Sequence, residues 1–570
     1  MRHATVLVLV LACAASLAQD RFSFVVLGDR TPNPDDSAFG LMLEEVKLLD
    51  PDFILCTGNL VEPDTATLDA RWDAVLGMLA GTGIELRTCP GSNDIFDARS
   101  ESLYAARLGR PDYSFQHGNA AFVVLDNSRW QSFDEIPQAR RNWFRGELKR
   151  AGRFARSFAV MHRPYWRHAR HDSLPDTMHR WFRESGIDLV ITGHDRFYCS
   201  ALVDSVRYVQ VGPSGAAVPS GLDASQGGFR HYLHCTVDGE NLQVAVIEPG
   251  SVRPVDVVTV EALEALARAK KEAVELEPVE CVAGRRVSAT RTVRLRNNSP
   301  LAQSGKMKWD TEGTSWRISP ATLQFHASPG AACRYDFDIE LPVTGDVYPL
   351  PRFSLPFRYA PGRNVVLSSS LPVRRRASAL VVDSAPTIDG LLDDSCWAGS
   401  RTLSSFGANA GGANPVERVR VWVGFDSTRL YIAAGCRESR PDRVVADRTG
   451  RDSDLGADDH LAILLQPDRS NPATWFEVVV NPEGAVADSR CRPSADSVAR
   501  NPDWNPDWEV AAARDEDGWT VEMACPVEDF GEVGRNWGIN AARFQSRYGV
   551  SGCWQVPFEH DPAGFGVLER

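Results

Sequence analysis

Through the first 250 or so residues, apolar runs of strand length alternate with segments whose apolar positions recur at helical spacing. Phe22-Ser23-Phe24-Val25-Val26-Leu27 closes on Gly28-Asp29, and residues 37–49 then space Phe39, Met42, Leu43, Val46 and Leu49 as one face of a helix. Phe53-Ile54-Leu55-Cys56-Thr57 delivers Gly58-Asn59; a second helical segment covers 67–80, and residues 84–88 lead into Pro90-Gly91-Ser92-Asn93-Asp94. After Ala121-Phe122-Val123-Val124-Leu125 and a helix over 137–150 come two strands that each end in a histidine. Ser157-Phe158-Ala159-Val160-Met161 delivers His162-Arg163-Pro164-Tyr165, and Ile187-Asp188-Leu189-Val190-Ile191-Thr192 delivers Gly193-His194-Asp195-Arg196-Phe197-Tyr198. Such alternation predicts an α/β unit over 20–250, with polar side chains gathered beyond the carboxyl ends of parallel strands.

The pattern then changes. Residues 251–275 contain a helical stretch, 261–273, with Leu263, Leu266 and Ala267 on one face, which reads as a connector. Short alternating segments from 276 to 377 predict an immunoglobulin-like β-sandwich without visible chemistry. From 380 to 570 a second all-β unit is expected, with strands at 419–425, 430–436, 460–465, 475–480, 519–524 and 537–543. The fold class is thus multidomain: α/β, then two all-β sandwiches.

Length and charge narrow the function. At 570 residues the chain exceeds one core, and a net charge of -13 without any basic run argues against nucleic acid as a partner. The one long apolar run, 4–18, follows Arg2 and His3 and ends in Ser16-Leu17-Ala18. It reads as a signal peptide over 1–18, too short to span a bilayer, and predicts a secreted, periplasmic or cell-surface protein without a transmembrane segment. Val10-Leu11-Ala12-Cys13 offers the competing reading of a lipid-attachment box. Eleven of the twelve cysteines follow that leader, singly and in odd number, which fits buried free thiols better than a disulfide scaffold or zinc ribbon.

The ordered strand-end motifs of the first unit resemble the calcineurin-like metallophosphoesterases, and the His162 and His194 blocks look most like the purple acid phosphatase branch. The resemblance implies a four-layer αββα sandwich with a binuclear metal centre that polarises a phosphoryl group and generates hydroxide. Carried over by position, it makes Asp29, Asn59, Ser92, His162 and His194 the residual metal-ligand positions and puts Asn93 in place of the family's catalytic histidine. Asp29, His162 and His194 keep the expected type, whereas Thr31, Asn59, Ser92 and Arg196 do not. A guanidinium has no lone pair to give. The expectation is therefore an incomplete site holding no metal, or at most one divalent ion of the zinc, iron or manganese class, with an Asp29 to Arg196 ion pair filling the vacated position. Arg30, Arg163 and Arg196 together with the histidines suggest an anion pocket, set against the alternative that the arginines pair with Asp35, Asp36 or Asp195.

In the last unit, Asp389-Gly390-Leu391 with Trp397, Asn481-Pro482-Glu483-Gly484, Gly518-Trp519 and Asn536-Trp537-Gly538 are similar to the family-nine carbohydrate-binding modules. Trp504 and Trp508, in a turn-rich segment, are the candidates for stacking on sugar rings. The aspartates 452, 454, 458 and 459 lack a calcium-loop spacing and read as a solvated loop. The function expected is a pseudo-phosphoesterase that recognises a glycan or cell-surface polysaccharide, or a phosphate-containing small molecule. The alternative is a working phosphoric-ester hydrolase with a mononuclear or remodelled site.

Overall fold

The computed structural model describes residues 21–169, 177–282, 284–399, 401–408, 416–494 and 497–570. The leader at 1–18, with Cys13, lies outside them, as do His171 and the side chain of His168. The chain divides into two compact units, 1–264 and 265–570.

In the first unit, β1 (Arg21–Leu27), α1 (Asp36–Leu49), β2 (Phe53–Cys56), α2 (Leu68–Ala80), β3 (Glu85–Thr88) and α3 (Ala98–Leu108) alternate as the periodicity predicts. A hairpin, β4 (Tyr113–His117) and β5 (Ala120–Val124), precedes α4 (Gln138–Ala151), β6 (Arg156–Val160), α5 (Tyr165–Ala169) and α6 (Thr177–Ser185). The unit closes with β7 (Leu189–Thr192), β8 (Cys199–Val203), β9 (Val206–Gln210), β10 (Tyr232–Asp238), β11 (Asn241–Glu248) and β12 (Ser251–Pro254).

These strands form two six-stranded sheets, ordered β12-β11-β10-β1-β2-β3 and β4-β5-β6-β7-β9-β8. Strands β1, β2 and β3 run parallel, as do β5, β6, β7 and β9, so their carboxyl ends share one edge of each sheet. The sheets face each other through aromatic rings: Phe24 stacks on Phe53 at 5.0 Å and meets Phe122 edge-on at 5.3 Å, and Phe122 stacks on Phe158 at 4.4 Å. Helices α1, α2 and α3 bury Phe39, Met42, Trp72 and Tyr104 on the far face of the first sheet. Phe144 of α4 and Phe182 of α6 join the core on the second. The result is a four-layer αββα sandwich.

The second unit is built of strands. Two four-stranded sheets within 274–370 enclose Trp309, Phe337 and Phe353. Beyond them a five-stranded and a nine-stranded sheet enclose a core including Val421, Ile432, Ile463, Val478, Trp519 and Trp537. The spacer region and the last region share backbone here: Val279–Val282 and Val373–Ser378 extend the nine-stranded sheet, the latter pairing parallel with Gly566–Glu569. A strand that finds an open edge pairs with it, and local sequence pattern carries no sign of that. Among the described residues, no helix is long and apolar enough to cross a membrane, and the cysteines from Cys56 to Cys553 are free thiols, most of them buried.

Candidate functional site

The parallel strands deliver Asp29, Asn59, Asp94, His162 and His194 to one place. Asp29 follows β1 and is fully buried; its backbone carbonyl accepts the N–H groups of Ser214, Gly215 and Ala216, which pins the loop. Behind β2 the chain turns through two left-handed residues, Gly58 (φ 102°) and Asn59 (φ 57°), conformations that glycine and asparagine adopt most readily. Asp94 holds that turn against the β3 loop, because its carboxylate accepts the N–H groups of Asn59 at 2.7 Å, Leu60 at 2.8 Å, Val61 at 3.2 Å and Gly91 at 2.8 Å. A Cβ at Gly91 would lie 2.2 Å from the Asn59 nitrogen, so the loops meet only because that side chain is missing.

The orientation of the Asn59 amide follows from its neighbours. Its Oδ1 accepts the Asn93 backbone N–H at 2.8 Å, and a backbone N–H can only donate, so Nδ2 must point the other way. That Nδ2 donates to Asp29 Oδ2 at 2.8 Å. The Ser92 hydroxyl lies 3.5 Å from the same Oδ1, and the Asn93 side-chain amide donates to Thr31 Oγ1 at 3.0 Å. Where the family bridges two ions with a carboxylate, this chain therefore presents an N–H donor satisfied by the neighbouring ligand position.

The two imidazoles form a second closed chain. His162 Nδ1 lies 2.7 Å from the Thr57 carbonyl oxygen, which can only accept, so the proton sits on Nδ1 and the lone pair on Nε2. His194 Nδ1 lies 3.2 Å from that Nε2 and donates to it. His194 Nε2 then carries the lone pair that receives an N–H from Arg163 Nη1 at 3.0 Å. Burial, then the proximity of His194, holds the His162 imidazole well below its ordinary value, so it is neutral. Asn127, which the sequence analysis missed, positions the chain: its Oδ1 accepts the N–H groups of His162 and Arg163, both at 3.0 Å, and its Nδ2 donates to the Arg163 carbonyl. Its only sequence signal is the polar run Asp126-Asn127-Ser128 closing a buried strand.

The residues present do not fit the family's pair of ions. Asn59 points hydrogen at the shared position, Arg196 and Thr31 replace imidazoles, and a metal on His194 Nδ1 would move the ring proton to Nε2, against the Arg163 donor. Among the described residues no group of three or more histidines, cysteines or acids is arranged to hold a metal.

Several expectations need correction. Asp29 and Arg196 form no ion pair; the Asp29 carboxylate takes its hydrogen bonds from Asn59 and from the His194 N–H at 3.1 Å. Arg196, in a left-handed backbone position (φ 57°), donates to the Ala217 carbonyl at 3.4 Å. Arg30 does not line an anion pocket, because it pairs with Asp36 and donates to the Leu60 carbonyl at 2.9 Å. Asp195 is taken by Arg167. His179 bonds Tyr208 and Asp204, away from the other histidines. In the second unit Trp504 offers no free platform: its indole packs 4.3 Å from Phe476 and its N–H bonds the Asp529 carbonyl at 3.0 Å. Trp508 leans on Phe530, in the short turn 527–530, at 6.5 Å, and both tryptophans are half-buried. Asp458 and Asp459 are buried and bound within the fold, Asp458 to Arg448 and Asn481, Asp459 to the Val445 N–H, rather than solvated.

Burial pushes the Asp29 carboxyl up to about 7, from 3.8. The native state then holds this proton more tightly than the unfolded chain, so between pH 4 and pH 7 stability falls as pH rises, by at most roughly 1.4 kcal/mol per pH unit. Urea titrations at pH 5 and pH 8 should show a smaller loss for Asp29→Asn than for the wild type; equal losses would refute this.

A search of curated proteins returns no match. Three solved structures illustrate what the chain is similar to. The Plasmodium inner-membrane-complex anchor GAP50 shares 15% identity over 41% of this chain and 88% of its own (TM-score 0.34). A dimetal phosphatase from Danio rerio shares 11% over 41% and 98% (TM-score 0.33). A family-nine carbohydrate-binding module from Caldicellulosiruptor kristjanssonii, solved with cellotriose, shares 13% over 34% and 92% (TM-score 0.26). The family model of the calcineurin-like phosphoesterases matches residues 22–196, the stretch that carries β1 to β7 and every ligand position discussed above. Residues 22–196 of this chain form a calcineurin-like phosphoesterase domain.

Proposed function

We propose that this protein is an exported pseudo-phosphoesterase, in which a metal-free centre serves recognition and the C-terminal region binds a glycan. The observation that carries the first half is the closed polar network: Asn59 donates to Asp29, and Arg163, His194, His162 and the Thr57 carbonyl form one donor-to-acceptor chain. A network satisfied from within gains little by admitting a cation, because each ligand must first give up its present partner. Arg163 and Arg196 have no carboxylate partner among the described residues, which supports an anion as the ligand of this edge. Motif similarity in the last 190 residues supports the glycan, and the pattern at 1–18 supports export.

A single-metal hydrolase is the second reading. It is favoured by the 3.2 Å between His162 Nε2 and His194 Nδ1, a separation two imidazoles on one ion would also have. Turnover decides between them. With zinc, manganese or iron(II) supplied, the purified protein is expected to hydrolyse an aryl phosphate no faster than its His162→Ala, His194→Ala variant. Turnover abolished by that double substitution would establish the hydrolase.

A further inference from the structure

On the outer face of the five-stranded sheet three arginines stand together without ion-pair partners among the described residues. In the strand Val419–Phe425, Val419, Val421 and Val423 face the core, which leaves Arg418, Arg420 and Trp422 on the opposite side. Across the ladder Arg420 is opposite Gly435, Gly435 is opposite Thr520, and the Arg437 N–H bonds the Arg418 carbonyl at 2.9 Å. These residues surround a cleft of about 250 Å³, with Trp422 at its floor and Asp515 and Asp517 on the far rim. Such a volume lies below the roughly 300–1,000 Å³ of drug-sized sites and suits a small unit.

Three other arginines of this region are matched: Arg429 with Glu509 at 3.1 Å, Arg514 with Glu483 at 2.7 Å, and Arg543 with Glu438. Among the described residues the guanidiniums of Arg418, Arg420 and Arg437 have neither a carboxylate nor a carbonyl partner. Asp515 forms no ion pair with them; its Oδ1 accepts the N–H groups of Asp517 at 2.8 Å and Gly518 at 2.9 Å. Like charges on adjacent strands repel. A bound anion would relieve that repulsion, and guanidinium forks recognise carboxylates in bidentate fashion.

We propose that this cleft binds an anionic saccharide unit, a uronate-type residue whose carboxylate lies between Arg418, Arg420 and Arg437. Trp422, 9% exposed and with its indole N–H donated to the Gly399 carbonyl at 3.2 Å, closes the cleft from below, and Asp517 accepts hydroxyl groups. The proposal rests on the glycan half of the proposed function and names the ligand's charge and its site. A peptide carboxylate has the same head group, but the Asp517 carboxylate beside the arginines accepts sugar hydroxyl groups and repels the further carboxylates of an acidic peptide, which favours the sugar.

Titration calorimetry of the full chain with trigalacturonate, cellotriose and a hexaglutamate peptide tests it. Trigalacturonate should bind, more weakly as salt is added, and Arg420→Ala with Arg437→Ala should weaken it about tenfold or more. Gly435→Leu should do the same by filling the cleft, since a Cβ there meets nothing closer than Leu392 Cδ1 at 3.6 Å and Trp422 Cζ3 at 3.9 Å, which leaves the strand intact. Trigalacturonate affinity unchanged in both variants, or equal affinity for hexaglutamate, would overturn the proposal. Cellotriose binding without trigalacturonate binding would overturn it while leaving glycan recognition standing; binding of neither would remove both.

Discussion

Asp94→Ala is expected to cost about 3–5 kcal/mol of folding stability, measured by urea denaturation. The fully buried carboxylate is the acceptor for four backbone N–H groups from two loops. An unsatisfied buried donor costs about 1–3 kcal/mol, and partial water entry reduces the sum for four of them. Asp94→Asn should fall between, because its amide offers one acceptor oxygen but turns an N–H₂ toward donors. Faster amide exchange at Asn59, Leu60, Val61 and Gly91 would locate the effect. A loss below about 1 kcal/mol would mean that these loops are held by something other than this carboxylate.

Asn59→Asp is expected to destabilise the protein by about 2–4 kcal/mol at pH 7.5. The substitution restores the residue type the family uses, but here it replaces a donor to Asp29 with a second carboxylate at the 2.8 Å contact. Two buried carboxylates this close cannot both ionise, so one takes a proton and its pKa rises. A raised native pKa means that stability is lost as pH increases, so the gap in Tm between variant and wild type should widen from pH 5 to pH 8. At pH 5 a shared proton rebuilds the hydrogen bond. Zinc should raise the Tm of the variant and leave the wild type unchanged. A variant as stable as the wild type at both pH values would show that the Asn59 amide does not close the centre.

Much of this was legible in the chain. The helical spacing of Phe39, Met42, Leu43 and Val46 gives α1, and the buried runs ending in Gly28-Asp29, Gly58-Asn59 and Gly193-His194 give the strand ends that assemble the site. The replacement of metal-binding side chains at Thr31, Asn59, Ser92 and Arg196 is a matter of residue type and can be read directly. What those side chains do instead cannot, because it depends on aim. Charge alone suggested that Arg196 would seek Asp29, but a left-handed backbone sends it to the Ala217 carbonyl. The proton order along Arg163, His194 and His162 is set by the Thr57 carbonyl, a backbone atom from another strand. Trp504 and Trp508 sit in a turn-rich segment that reads as exposed, yet both are half-buried, Trp504 against Phe476 and Phe530 and Trp508 against Phe530.

Donor chemistry at the strand ends is the centre of this account, and a direct count of bound metal addresses it. After equilibrium dialysis of the wild-type protein against micromolar zinc and manganese, elemental analysis is predicted to find well under one ion per chain. Two ions per chain, lost when His162 and Asp29 are replaced together, would contradict it.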